Sequence, residues 1–213
     1  MESEGVNSRP AYGSLVDALS AIRPVQVRNV ATVGGALSSG VATLDLPPTS
    51  LAMDATVILL GPKGRRTVPV QDFFVGFLET ATKRGEFLTE VRIPRPPTNT
   101  GSAFLKLEMN SVDWAVLNVA TKLTLRKGRV SDARIVFGGG VGAVPIRATK
   151  AEGILENKEP IAAVIREAAE KASMSTKFTG DERASAEYRR EISKVLLRDA
   201  LLVSVDRARK DSK

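Results

Sequence analysis

Two periods of hydrophobic positions run through this chain and predict different elements. Apolar residues three or four apart predict helices over residues 12–22, 148–156, 160–174 and 185–207. Alternating or β-branched runs predict strands over residues 55–60, 65–70, 87–93, 102–107, 116–125 and 130–137. Short glycine-containing turns join two pairs of these strands into hairpins. Strands that come before most of the helices predict an α+β fold.

Three local predictions concern side-chain direction. Ser14 is the expected N-cap of the first helix, because serine accepts hydrogen bonds from free amides there. Residues 72–77 are expected to form a short helix that turns Phe73, Phe74 and Phe77 into the core. The helix over 185–207 is expected to pack on a sheet through its apolar face and to present its basic residues to solvent or to a partner. That apolar face would comprise Tyr188, Ile192, Val195, Leu196 and Leu202, and the basic face Arg189, Arg190, Lys194 and Arg198.

A change of composition predicts a domain boundary after the strand over 87–93. Arg95, Pro96 and Pro97 cannot continue a central strand, because proline lacks the amide that a ladder needs. Thr98 to Gly101 then resembles a linker in composition. We therefore expect one domain over residues 1–97 and a second over residues 98–213.

The stretch over residues 27–48 is small and polar, and it centres on Gly34 and Gly35. Adjacent glycines permit φ > 0 and let another group approach the main chain closely. With Thr32 and Ser39 beside them, their amides form a candidate anion site. The alternative is a tight turn in which glycine only provides room, because short glycine patterns are weak signals.

Composition restricts the chemistry. The chain has no cysteine and no histidine, which removes disulfides, cysteine-held iron–sulfur clusters, imidazole catalysis and most zinc sites. We find no catalytic constellation and no metal-ligand set. The net charge of +7 suits an acidic partner, but no nucleic-acid motif accompanies the scattered basic residues, so nucleic-acid binding ranks lowest. No apolar run is long enough to span a membrane and the first ten residues do not resemble a secretory signal, so a cytoplasmic location is expected.

The ordered string from Arg28 to Asp45 resembles the second flavin-contacting segment of FAD-binding subunits of molybdenum hydroxylases. That family includes the medium subunit of aerobic carbon monoxide dehydrogenase and the flavin domain of xanthine dehydrogenase. The resemblance continues through residues 55–70, 86–94, 103–113, 138–147 and 184–202. It implies a partial FAD-binding (PCMH-type) domain followed by a sheet-plus-helices domain like the carbon monoxide dehydrogenase flavoprotein C-terminal domain. Ala36 stands where the family usually has asparagine, and the match begins after the family's first glycine-rich turn.

The resemblance also implies roles for individual residues. Thr32, Gly34 and Gly35, with Ser39 nearby, would contact the FAD pyrophosphate. Asp45 would accept a hydrogen bond from the cofactor, Leu88 would pack near it, and Lys106 would lie close to the flavin ring. The alternatives are a turn residue before proline for Asp45, a core residue for Leu88 and a surface lysine for Lys106.

Two hypotheses of function follow from the resemblance. In the first, the chain is a flavoprotein subunit that passes electrons from iron–sulfur clusters through FAD to an acceptor. Its partners would then be an iron–sulfur small subunit and a molybdopterin large subunit. In the second, the chain is a scaffold or binding module that no longer holds FAD tightly, because the first phosphate-binding turn is missing.

Overall fold

The computed structural model of this chain describes residues 9–110 and 112–211. Its helices are α1 (Gly13–Ala21), α2 (Val25–Val30), α3 (Val33–Ser38), α4 (Leu46–Ala52), α5 (Thr149–Leu155), α6 (Ala162–Ser175) and α7 (Ala186–Lys210). Its strands are β1 (Thr56–Gly61), β2 (Gly64–Pro69), β3 (Phe74–Gly76), β4 (Glu79–Thr80), β5 (Phe87–Arg92), β6 (Thr100–Leu107), β7 (Leu117–Arg126), β8 (Arg129–Phe137) and β9 (Ile146–Arg147). The α+β prediction is confirmed.

The strands form three antiparallel sheets. The first has the order β2–β1–β5, the second is the small β3–β4 hairpin, and the third has the order β6–β7–β8–β9. Both predicted hairpins are confirmed as β1–β2 and β7–β8. In each hairpin two residues connect the strands. Lys127 and Gly128, which connect β7 and β8, both adopt the positive φ that such a tight turn favours, and Gly64, the first residue of β2, also has a positive φ.

The large sheet is covered on both faces, and the two-residue period of β7 shows how. Leu117, Val119 and Leu123 point into one hydrophobic cluster that the C-terminal helices α5, α6 and α7 complete. Ala120 points the other way, into a second cluster that contains Leu37 from α3 and other residues of the first 93. Successive residues of a strand face opposite sides of a sheet. The N-terminal part therefore packs on one face of the C-terminal sheet.

This shared core bears on the domain prediction. The segment between β5 and β6 has no helix or strand, as expected for a connection. However, Phe104, Ala120 and Val136 of the large sheet belong to the same cluster as Val57 and Leu59 of β1. The boundary after Pro97 stays a prediction. The composition of the chain changes there, but residues from both sides of it pack in one hydrophobic cluster.

The helix α7 has the predicted extent but buries a different face. Ser185 is its N-cap and accepts a hydrogen bond from the amide of Tyr188. Tyr188, Val195 and Leu202 are exposed, contrary to expectation. The buried face instead carries small and aliphatic residues and one cation: Arg189, Ser193, Leu197, Ala200, Leu201 and Ser204.

The burial of Arg189 contradicts the expectation that the basic face of α7 is open to solvent or to a partner. Its side chain is only 1% exposed, and its guanidinium donates hydrogen bonds to the Thr179 carbonyl and the Asp181 carboxylate. Gly140, with φ +77, makes room for it, since a Cβ there would lie 2.5 Å from Arg189 Cδ. The residues that allow this charge to be buried lie outside α7, so the periodicity of the helix sequence does not predict its burial.

Two N-terminal expectations are wrong. Residues 72–77 do not form a helix: a 3₁₀ turn at Val70–Asp72 leads into β3, and Phe77 is 67% exposed. Leu78, with φ 58, closes the β3–β4 hairpin, so only Phe73 and Phe74 point into the core. Ser14 does not cap α1, because the helix begins at Gly13 and Ser14 is buried within it.

No helix among residues 9–110 and 112–211 combines the length and apolar character needed to cross a bilayer.

Asp54 holds the two parts of the chain together electrostatically. Its carboxylate accepts hydrogen bonds from Lys122 of β7 and from Arg134 Nε of β8, the latter at 2.9 Å. Burial alone would raise the pKa of Asp54, but the hydrogen bonds from Lys122 and Arg134 outweigh burial and lower it. Asp54 also has φ 52, a conformation that asparagine adopts readily.

Replacing Gly101 should destabilise the protein, because this glycine lets α7 lie directly on β6. A Cβ on Gly101 would come within 2.1 Å of the Ser204 carbonyl oxygen. We expect Gly101→Ala to lower the free energy of unfolding by about 1–3 kcal/mol. Gly153→Ala is the matched control, since open space surrounds Gly153 in α5 and alanine should be neutral or stabilising there. Urea unfolding of both variants checks this, and equal stabilities would contradict it.

Asp54→Asn should lower stability at neutral pH by about 1 kcal/mol, because Lys122 and Arg134 lose one of the two carboxylates that they share, Asp132 remains, and the site is partly exposed. The pKa of Asp54 is lower in the folded than in the unfolded chain. Its contribution is therefore present above the unfolded value of 3.8 and is lost as pH falls through the folded value. The stability difference from wild type should shrink on acidification, as measured by urea unfolding at several pH values. An equal deficit for Asp72→Asn, which changes an exposed aspartate, would contradict the assignment.

Candidate functional site

The double glycine lies in a helix and not in a turn. Thr32 is the N-cap of α3, and its Oγ1 accepts a hydrogen bond from the Gly35 amide at 2.9 Å. Neither Gly34 nor Gly35 has a positive φ, so neither uses the left-handed conformation that glycine permits. A Cβ on Gly35 would lie only 2.9 Å from Thr32 Oγ1. Glycine is used here for close approach of the cap.

Leu88 of β5 packs against this helix. Its Cδ2 lies 3.4 Å from the position that a Cβ of Gly34 would occupy. Leu88 and Gly34 are 54 positions apart in the sequence, and the antiparallel pairing of β5 with β1 brings Leu88 here. The structure therefore brings together four of the predicted site residues: Thr32, Gly34, Gly35 and Leu88.

A cleft of about 660 Å³ opens beside the capped end of α3. The cleft is lined by Val16, Leu19 and Ser20 of α1 and by Arg28, Asn29, Ala31, Thr32, Val33 and Ala36. Gly34 and Gly35 lie next to these residues in α3 but are not part of the lining. This volume lies within the range of ligand and cofactor sites. Because α3 has only six residues, a phosphate in the cleft would be bound by individual groups and not by a helix dipole.

Ser39 lies at the opposite end of α3 from Thr32. Its hydroxyl donates to the Ala36 carbonyl at 2.8 Å and accepts from the Val41 amide at 3.3 Å. The hydroxyl thus closes the helix end, and Ser39 is not among the residues that line the cleft. Its contact with a cofactor stays a prediction.

Asp45 and Lys106 form a second predicted group, at the contact between the two parts of the chain. Asp45 is buried just before α4, and Lys106 is its nearest cation, with Nζ 3.6 Å from Oδ2. Glu108 binds the same ammonium at 2.9 Å. Lys106 is therefore not a free surface lysine, and two carboxylates share its single positive charge.

The carboxylate of Asp45 lacks part of its hydrogen bonding. Its Oδ1 is buried and has no hydrogen-bond donor among the described residues. Burial raises the pKa of Asp45, and the negative charge of Glu108 adds to this, while Lys106 and Asn118 lower it without cancelling the shift. A buried acceptor without a donor is uncommon and often marks a missing partner.

Asn118 is a site residue that the sequence analysis missed. It is fully buried and pairs with Lys106 in the β6–β7 register. Its Nδ2 donates to the carbonyls of Thr43 and Leu44, and its Oδ1 accepts from the Gly139 amide. These bonds fix the segment that carries Asp45. The available signal was a polar residue with apolar neighbours near the start of a buried strand.

Two family models match the chain, one for each part. The FAD binding domain in molybdopterin dehydrogenase matches residues 5–96, and the CO dehydrogenase flavoprotein C-terminal domain matches residues 102–203. The cleft and the double glycine lie within the first match. The fold and the site thus define an FAD-binding type of protein.

Curated proteins of the same type are similar over most of the chain. The medium chain of glyceraldehyde dehydrogenase from Sulfolobus acidocaldarius is 33% identical over 82% of this chain and 62% of its own length. The medium chain of carbon monoxide dehydrogenase from Hydrogenophaga pseudoflava is 32% identical over 88% of this chain and 65% of its own length. The chain thus spans somewhat less than two thirds of the length of these relatives.

A solved structure agrees with these relatives. Reconstituted CO dehydrogenase from Oligotropha carboxidovorans contains a chain with a TM-score of 0.88 and 30% identity, covering 96% of this chain and 71% of that one. The chain belongs to the family of FAD-binding medium subunits of molybdenum hydroxylases. The predicted family and FAD as its cofactor are confirmed at this level.

Asp45→Asn should stabilise the protein, in contrast to Asp54→Asn. The pKa of Asp45 is raised in the folded chain, so the folded state binds its proton more tightly than the unfolded state, whose value is 3.8. Wild-type stability therefore falls as pH rises from 3.8 through the folded value. Replacing the carboxylate removes that loss, and we expect a gain on the order of 1 kcal/mol at neutral pH. Urea unfolding at several pH values measures it, and a loss of stability would show that Asp45 is a structural ion-pair partner.

Proposed function

We propose that this chain is the FAD-carrying subunit of a molybdenum hydroxylase. In this role it passes electrons from iron–sulfur clusters on a small partner subunit, by way of FAD, to an external acceptor. A molybdopterin-bearing large subunit, where the substrate is oxidised, is the other proposed partner. The cytoplasmic location expected from the sequence belongs to the same proposal.

The observation that carries the proposal is the cleft of about 660 Å³ along the Arg28 to Ala36 segment, inside the part that matches the FAD-binding model. The residues present fit the cofactor in a second respect. The buried Oδ1 of Asp45 lacks a donor, and FAD carries hydroxyl and amine groups that donate hydrogen bonds.

Bound FAD supplies the electron-transfer chemistry, and the protein residues bind and orient it. Thr32 has a hydroxyl hydrogen that can donate to phosphate while its oxygen caps α3. Gly34 keeps the main chain accessible, and Leu88 supplies an apolar surface next to it. Asp45 would accept the cofactor hydrogen bond, and Asp45 and Glu108 would hold Lys106 in position.

The 213-residue chain should bind FAD saturably, with quenching of flavin fluorescence and a shift in the visible flavin spectrum. With the Gly34 main chain as a proposed pyrophosphate contact, Gly34→Ala should weaken FAD binding about tenfold or more, because the added methyl group restricts approach to the main chain. The variant should still fold, since the new Cβ meets Leu88 Cδ2 at an ordinary 3.4 Å.

Gly153→Ala, in a helix far along the chain, is the matched control and should bind FAD like wild type. If wild type shows no saturable FAD signal, the alternative function, a scaffold that does not hold flavin, replaces this proposal.

A further inference from the structure

Arg28 is the only charged residue among those described that line the 660 Å³ cleft. It lies in α2, is exposed to solvent, and follows Pro24, whose carbonyl accepts the Arg28 amide at 3.3 Å. Its guanidinium has no hydrogen-bond or ion-pair partner within residues 9–110 and 112–211. An unpaired guanidinium at the edge of a cleft keeps all five N–H donors available.

The positive charge of Arg28 is also uncompensated, unlike that of Lys106. Lys106 lies 3.6 Å from Asp45 and 2.9 Å from Glu108, so its ammonium already faces two carboxylates. An anion near Lys106 would meet a group that is negative overall. An anion in the cleft beside Arg28 meets a single positive charge instead.

Neutral donors surround Arg28 at the same edge. Asn29 follows it directly, Thr32 lies four residues further along as the N-cap of α3, and both line the cleft. The Thr32 hydroxyl accepts from Gly35 and retains a hydrogen to donate. A guanidinium with a hydroxyl and an amide beside it is a donor set suited to phosphate oxygens.

We propose that Arg28 binds the FAD pyrophosphate in the cleft and donates hydrogen bonds to two phosphate oxygens through the fork of its planar guanidinium. This inference rests on the proposed function and adds a binding residue to it. The competing explanation is that Arg28 only interacts with the carboxyl end of α2, where a cation is favourable. That interaction would affect the helix and leave flavin binding unchanged.

The test compares FAD with riboflavin, which has the same ring system but no phosphate, by fluorescence titration at about 0.15 M salt. At this ionic strength charges more than about 8 Å apart are largely screened. Arg28→Gln should weaken FAD binding by about ten- to a hundredfold, the usual effect of losing a charge-assisted hydrogen bond. Riboflavin binding should not change, and Arg28→Lys should fall between Arg28→Gln and wild type because it keeps the charge without the fork.

Arg23→Gln is the matched control. Arg23 is exposed, lies five positions earlier and is absent from the lining of the cleft, so its replacement removes the same charge without the contact. The melting temperatures of all variants should equal that of wild type, because neither guanidinium has a partner to lose among residues 9–110 and 112–211.

The outcomes separate the two claims. Equal FAD affinities for Arg28→Gln and Arg23→Gln would overturn the role of Arg28 and leave the FAD proposal standing. Parallel loss of FAD and riboflavin binding in Arg28→Gln would also overturn it, since the phosphate would then not be the group concerned. Failure of wild type to bind FAD at all would remove both the proposed function and this inference.

Discussion

Packing of the N-terminal helices on the even-numbered face of the β6–β7 sheet is the constraint on which the site depends. Ser102, Phe104 and Lys106 of β6 alternate with residues that point towards α7. Asn118, Ala120 and Lys122 of β7 point to the same side, opposite their β6 partners. The apolar members of this face join the N-terminal core, while the polar ones bind the loops at its edge: Ala11, Thr43, Leu44, Asp45 and Asp54. A shift of one residue in β6 or β7 would turn all of these contacts away.

The polar contacts on this face differ in how well they are satisfied. At Asp54, Lys122 and Arg134 both donate to the carboxylate, and both also pair with Asp132, so two cations meet two carboxylates and the pKa of Asp54 is lowered. At Asp45, one cation is shared with Glu108, Oδ1 has no donor, and the pKa is raised. Two aspartates nine positions apart, Asp45 buried and Asp54 partly exposed, thus have opposite electrostatic environments. Asp54 forms ion pairs across the contact between the two parts of the chain. Burial of Asp45 disfavours its charged form, and an unfavourable residue of this kind is expected where it is retained for binding a ligand.

The sequence predicts local features well and non-local ones poorly. The β1–β2 and β7–β8 hairpins follow from alternation and turn residues, and Ser185 marks the start of α7 through its own hydroxyl. The burial of Arg189 could not be predicted from the sequence of α7, because it depends on Thr179, Asp181 and the space at Gly140. A tight turn was one interpretation of the double glycine, yet the Thr32 cap begins a helix there. Lys106 and Asp45 were singled out through the family resemblance, but Asn118 between them was not.

The short helices α2 and α3 link ligand binding in the cleft to the stability of the cleft's own walls. Helices of six residues are marginal in water, and α2 has no buried residue. Val25 is 50% exposed and Val30 80%, so tertiary packing contributes little to holding α2 in place. The Thr32 cap and the packing of Leu88 secure α3, whereas the preceding segment with Arg28 is held mainly by its backbone bonds. A ligand bound by Arg28 and Thr32 would connect the loosely held helix to the well-held one. Part of its binding free energy would then appear as increased order of α2, because ligands that bind only the ordered state stabilise that state.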